Sequence, residues 1–170
     1  MALTDFIRNI PDFPKLGIQF KDITPLLQDA EAFNETILAL SEPYKSSQVD
    51  YVVGIESRGF IFGAPLARQL GVGFVPIRKP GKLPAETISA TYELEYGTDE
   101  VQIHKDAIKP GQSVVVVDDL LATGGTMAAA CELIDRLEGN ICGISFLIEL
   151  AFLEGRNKLA GRNLYSLITY

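Results

Sequence analysis

The chain of 170 residues is 47% hydrophobic and 22% charged, long enough to bury one good core and too short for two ordinary domains. Its formal net charge of -7 argues against a general binder of nucleic acid, which needs a basic face. No apolar run approaches the roughly 20 residues that span a bilayer, and the first ten residues carry Asp5 and lack an apolar signal core, so the expectation is a cytoplasmic protein that meets no membrane.

Leu3, Phe6, Ile7 and Ile10 recur at helical spacing up to Pro11 and predict a short amphipathic helix; Pro11 to Asp22 then reads as an ordered loop. Asp29 is placed to cap a helix with Phe33, Ile37 and Leu40 on one face, ending before Pro43. From there strand and helix alternate. Strands are predicted over Tyr51 to Ile55, Gly73 to Arg78, Ser113 to Val117 and Ile141 to Leu147, and helices over Phe60 to Leu70 and Thr126 to Glu138. That order predicts a single-domain α/β fold with a central, mostly parallel sheet flanked by helices. Between Lys79 and Lys109 the rhythm breaks into an inserted two-stranded ribbon around a turn at Gly97-Thr98, a long excursion of the kind that forms lids and binding loops. Cys131 and Cys142 fall in a predicted helix and strand with no close-spaced partner, and read as buried free thiols. The lone His104 receives no role.

The most informative stretch is Val114 to Thr126, VVVVDDLLATGGT. A strand buried on both sides delivers Asp118 and Asp119 to the carboxyl edge of a parallel sheet, where open α/β sheets bind ligands. Ala122, Thr123, Gly124, Gly125 and Thr126 then open a helix. Glycines admit an anion close to the backbone, the helix N-terminus offers free N–H groups, and the threonines add hydroxyl donors, so the loop suits a monophosphate. The spacing is neither the dinucleotide-binding nor the P-loop pattern. Two acids beside a phosphate cradle repel bare phosphate, so they face hydroxyl groups, a metal ion or a developing cation. A phosphorylated sugar meets all these demands.

VVVVDDLLATGGT resembles the phosphoribosyl pyrophosphate motif of the type I phosphoribosyltransferases. Three further blocks, Pro11 to Thr24 (PDFPKLGIQFKDIT), Gly54 to Gly63 (GIESRGFIFG), and Ile77 to Pro84 with Tyr92 to Gly97 (IRKPGKLP, YELEYG), resemble the adenine-using members of that family. The similarity runs over nearly the whole chain. It implies transfer of a phosphoribosyl group from phosphoribosyl pyrophosphate to adenine, with Mg²⁺ as cofactor and AMP and diphosphate as products, by a homodimer.

Residue by residue, the resemblance implies that the loop of Glu56, Ser57 and Arg58 holds diphosphate through a cis Glu56–Ser57 peptide, and that Arg78, Lys79 and Lys82 meet the same group, one arginine commonly crossing the dimer interface. Residues 1–28 would form a hood whose Gln19, Phe20 and Lys21 bind adenine, with Leu150 on the opposite face of the base. Residues 84–104 would form the flexible catalytic ribbon, with Glu95 managing the proton of the base and Tyr96 in the closing loop. Lys21 stands where many members carry arginine, and Gln19 where they carry a small aliphatic residue. The magnesium is expected to be held mainly by substrate. An enzyme for oxopurines would place a lysine near Leu150, where none matches. A regulator that binds the sugar diphosphate without catalysis would need a DNA-binding domain, for which this acidic chain leaves little room.

Overall fold

Residues 2–94 and 96–170 are described by the structure, a computed structural model. Its centre is a five-stranded sheet in the order β4-β3-β7-β8-β9, formed by β3 (Tyr51–Ile55), β4 (Gly73–Ile77), β7 (Ser113–Leu121), β8 (Asn140–Glu149) and β9 (Leu164–Thr169). Every neighbouring pair in it is parallel. The valine run of β7 shows why such a strand lacks alternation. Val114 and Val116 enter one apolar cluster while Val115 and Val117 enter the other, so both faces of the strand are buried.

One face is covered by α1 (Thr24–Gln28), α2 (Ala30–Ser41) and α3 (Arg58–Leu70), which supply Leu26, Leu40, Phe62 and Leu66 to its cluster. The Asp29 carboxylate caps α2 as expected, accepting from the Ala32 N–H at 2.9 Å. The other face carries α4 (Gly125–Arg136) and the antiparallel ribbon of β5 (Thr87–Glu93) and β6 (Thr98–His104). Gln102 and Arg78 exchange backbone hydrogen bonds of 2.7 and 3.0 Å, which anchor the ribbon to the end of β4. The strand order reverses between β3, which leads through α3 to β4, and β7, which leads through α4 to β8. Loops leaving β3 and β7 diverge there and open a crevice at the carboxyl edge.

The predicted N-terminal helix is corrected. Only Leu3–Phe6 makes a 3-10 turn; Arg8–Pro11 is a strand, β1, paired antiparallel with β2 (Gln19–Asp22) inside the segment predicted as a loop. A helix this short pays its nucleation cost with few bonds in return. The alternative satisfies Arg8, whose guanidinium donates to Asp22 at 2.7 and 3.0 Å, while Leu3, Phe6 and Ile7 still pack on the core. Hydrogen bonds from Thr24, then from Arg8, hold the Asp22 carboxyl down at about 2. Both cysteines are free, but only Cys131 is buried, its thiol pushed up to about 11 by burial; Cys142 is half-buried, at the bulge where β8 shifts register against β7.

Near the opposite edge, the Tyr44 hydroxyl shares a 2.6 Å hydrogen bond with Ser145 Oγ, both buried. Burial pushes the phenol pKa up, so the bond is one between neutral groups. Tyr44→Phe leaves the serine hydroxyl without this partner, a loss of ~1 kcal/mol. In thermal unfolding we expect Tm to fall by roughly 2–4 °C with activity retained; an unchanged Tm would refute the contribution.

Candidate active site

At the reversal point, β7 continues through both acids to Leu121, four residues past the predicted end, so Asp118 and Asp119 are held by sheet rather than by a loop. Asp118 faces Phe146 of β8 in register. Its Oδ1 accepts the Asp119 N–H at 2.8 Å, and an ideal Cβ built on Gly59 would lie 3.0 Å from the same oxygen. Gly59, in the first turn of α3, is thus the residue that lets this helix close over the acid; the absence of a side chain is its contribution. Burial, then the neighbouring Asp119 charge, raises the Asp118 pKa well above the carboxylate range. Asp119 is 7% exposed and pairs with Arg58, Nε to Oδ2 at 2.9 Å.

After the acids the chain turns through Ala122 and Thr123 to Gly124, which has a left-handed φ of 89°, and α4 begins at Gly125. Residues 120–127 line a cavity of about 220 Å³ together with Arg58, Asp118, Asp119 and Phe146. The amides of the first turn of α4 and the Thr123 and Thr126 hydroxyls are the donors available to an anion there. A second cavity of about 420 Å³ shares Arg58, Asp118, Asp119 and Thr126 with the first and adds Glu56, Ser57, Lys79 and Tyr92. Two adjoining hollows, each with its own cations or amides and a pair of acids between them, can take a molecule with a phosphate at each end and hydroxyl groups in the middle.

The Glu56–Ser57 peptide is cis, as the resemblance implies. The Glu56 side chain, however, is turned to the end of β4, where its Oε1 accepts the Lys79 N–H at 2.5 Å and lies 3.5 Å from Arg78 Nε. It ties the basic segment to the sheet instead of presenting a charge to an anion. The Lys79 ammonium donates to Tyr92 at 2.7 Å and is paired with Asp99 on the ribbon. Burial opposes its charge, but the bonds to Asp99 and Tyr92 outweigh that and raise its pKa. Neither Asp99 nor Tyr92 is legible in the sequence as a partner of this lysine, because only the ribbon's fold brings them 20 and 13 residues back to it.

Phe20, on β2, lies beside the acids' cation. The Arg58 guanidinium is 5.8 Å from its ring centroid, and Phe13 packs on it edge-on at 5.1 Å. Gln19 and Lys21 point elsewhere: Gln19 accepts from Asn9 at 2.8 Å, while Lys21 donates to Asn9 Oδ1 at 3.1 Å and sits 3.9 Å from the Tyr170 ring centroid. Leu150 is half-buried at the end of β8, its N–H bonded to the Leu121 carbonyl at 2.9 Å. Lys82 and Tyr96 line neither cavity; both are exposed, Tyr96 to 84%. Glu95 lies outside the described residues. No helix among the described residues is long and apolar enough to cross a membrane.

A parallel sheet that presents paired acids and an amide-lined cradle at its switch point, and that the family model of the phosphoribosyl transferase domain matches over residues 20–158, defines a phosphoribosyltransferase. Adenine phosphoribosyltransferase of Halothermothrix orenii is 62% identical over 168 residues, 99% of each chain. The crystal structure of adenine phosphoribosyltransferase from Thermoanaerobacter pseudethanolicus superposes with a TM-score of 0.95 at 59% identity, covering 99% of this chain and 98% of the other. That of the Saccharomyces cerevisiae enzyme, complexed with an imino-altritol bisphosphate and adenine, does so at 0.92 and 47%, covering 97% and 96%. The chain belongs to the adenine phosphoribosyltransferase family, enzymes of the pentosyltransferase class.

Proposed function

We propose that the chain transfers the phosphoribosyl group of phosphoribosyl pyrophosphate to N9 of adenine, forming AMP and releasing diphosphate. The observation that carries this reading is the position of Arg58, which touches Asp119 between the two cavities and stacks toward Phe20, so that phosphate, sugar, diphosphate and base positions meet at one residue. The 5-phosphate takes the cradle of Ala122, Thr123, Gly124, Gly125 and Thr126. The ribose hydroxyls hydrogen-bond Asp118 and Asp119. Arg58, Lys79 and the backbone of Glu56 and Ser57 receive the diphosphate, joined by Lys82 and Arg78. Phe20 packs on adenine, whose edge is read by the backbone of Gln19 to Lys21, with Leu150 on the other face.

As the bond from C1 to diphosphate lengthens, positive charge grows on the sugar and negative charge on the leaving group. The carboxylate of Asp119 favours the first through its field, and Arg58 and Lys79 favour the second. Adenine N9 attacks C1 from the face opposite the leaving group and inverts it, while Glu95 takes part in the proton transfer of the base. Closure of the ribbon tip around Tyr96 keeps water from capturing the sugar cation. Positioning and electrostatics carry the rate, with no covalent intermediate. A homodimer is the assembly we assign.

Among the described residues no three acids, histidines or cysteines converge on a metal position. Asp118 and Asp119 line both cavities, and Mg²⁺ is satisfied by one or two carboxylates when phosphate oxygens and water supply its other ligands. The donor set therefore fits an ion carried by the diphosphate, and that ion, when bound, supplies Lewis-acid stabilisation of the departing charge.

The test is AMP formation by the purified protein with phosphoribosyl pyrophosphate, Mg²⁺ and each of adenine, hypoxanthine, guanine and xanthine in turn. Turnover with adenine alone is expected. Turnover with an oxopurine overturns the assignment of the base, and binding of the sugar diphosphate with no turnover for any base overturns the enzymatic reading.

A further inference from the structure

Behind the phosphate cradle lies a tight turn that the mechanism above does not use. Glu154 adopts a left-handed φ of 54°, and Gly155 is buried directly against the loop. An ideal Cβ on Gly155 would stand 2.4 Å from the Ala122 carbonyl oxygen and 2.9 Å from Leu121 Cδ1. Reciprocally, a Cβ on Gly124 would stand 2.5 Å from the Gly155 carbonyl oxygen. The two backbones therefore approach too closely to admit a side chain at either glycine, and the turn lies against the carbonyl of the first cradle residue.

The turn is pinned by the next residue. Arg156 forks onto Glu149, Nε to Oε1 at 2.6 Å and the second nitrogen to Oε2 at 2.9 Å, and Ser166 Oγ donates to the same carboxylate at 2.6 Å. Glu149 is only 4% exposed, ends β8, and lies in register with Leu121 of β7, the residue just before the cradle, and with Thr169 of β9. A bidentate guanidinium–carboxylate pair fixes orientation as well as distance. Its far side is anchored in the sheet and its near side is one residue from the contact with Ala122.

We infer that Gly155 and the Arg156–Glu149 fork are positioning residues for the 5-phosphate: they form a rigid backing that sets the angle of the cradle's amides, and through it the affinity for the phosphorylated end of the sugar. This rests on the reading of residues 122–126 as the 5-phosphate cradle. An amide row is effective only while its N–H groups converge, and a displacement on the order of 1 Å in a binding loop is enough to cost tenfold or more. Gly155, Arg156 and Glu149 line neither cavity and none of them is assigned to adenine, although Glu149 precedes Leu150 in the chain.

The experiment compares Gly155→Ala, Arg156→Met and, as a change in the cradle itself, Thr126→Val. It measures KM for phosphoribosyl pyrophosphate, KM for adenine, and the calorimetric Kd of ribose 5-phosphate. We expect Gly155→Ala and Arg156→Met each to weaken ribose 5-phosphate and to raise KM for phosphoribosyl pyrophosphate by about tenfold, with KM for adenine within about twofold of the parent. Should Gly155→Ala not fold, Arg156→Met decides alone, since it shortens a side chain that is 51% exposed. If Thr126→Val weakens ribose 5-phosphate and the two backing variants do not, or if both KM values rise together, the inference falls and the cradle stands. If ribose 5-phosphate binds the Thr126→Val variant as tightly as the parent, the cradle reading falls and takes the inference with it.

Discussion

Asp119→Asn is expected to lower kcat by about 10² to 10³ while leaving the fold intact, the range found when one group aimed at developing charge is removed. The carboxylate is 7% exposed and lies where two cavities meet, so its charge acts across little water on anything that fills them. Asparagine keeps the shape and a hydrogen-bond acceptor for a ribose hydroxyl and for Arg58, but removes the negative charge beside C1. Its cost to stability is small, because Arg58 is half exposed and an ion pair open to solvent on one side contributes at most ~1 kcal/mol. With no carboxylate charge beside it, Arg58 attracts diphosphate at least as strongly, so KM for phosphoribosyl pyrophosphate should hold or fall. Steady-state kinetics beside a melting curve separate these effects. Near-normal turnover in a folded variant removes Asp119 from the mechanism.

The parts legible in the sequence were those carried by contiguous residues. β3 begins and ends where its apolar run does, and α2 starts at its Asp29 cap and stops before Pro43. The cradle could be read because acids, small residues and threonines are consecutive, and one strand-to-helix turn brings them together. The N-terminal segment failed because Leu3, Phe6, Ile7 and Ile10 suit a helix by spacing, yet a short segment takes its structure from its partners. Arg8 with Asp22, and Ile10 opposite Phe20, decided for a ribbon. Strand β9 is not legible in the sequence because an edge strand with Tyr165 and Thr169 exposed shows little of the buried pattern that marks its neighbours. Contacts made through glycines were out of reach. Gly59 over Asp118 and Gly155 against Ala122 are statements about missing atoms, and they acquire meaning only when distant segments meet. Lys79 illustrates the same limit for charge: its partners Tyr92 and Asp99 come from the ribbon, so a cation legible as free in the sequence is held in the fold.

Asp118→Asn should divide function from stability more sharply than any other change. Burial and the charge of Asp119 raise the Asp118 pKa, so the folded protein holds this proton more tightly than the unfolded chain. Below the ordinary value of 3.8 both states carry the proton and the group contributes nothing. As pH rises from there, the unfolded chain releases its proton first and is favoured by doing so; the native state loses stability until the folded pKa is passed. Asparagine removes that loss and keeps the acceptor for the Asp119 N–H. The variant should therefore melt higher than the parent at neutral pH, by roughly 2–4 °C for each ~1 kcal/mol relieved, with the advantage shrinking as pH is lowered toward 4. Activity should move the other way, falling by about 10- to 100-fold, since an amide keeps an acceptor for the ribose hydroxyl but carries no negative charge beside a growing cation. Melting curves from pH 5 to 8 together with initial rates test both halves. A variant that melts below the parent at pH 8, or whose advantage is the same at every pH, shows that the charge of Asp118 does not cost the native state; one that gains stability and keeps its rate shows that the cost is not borne for catalysis.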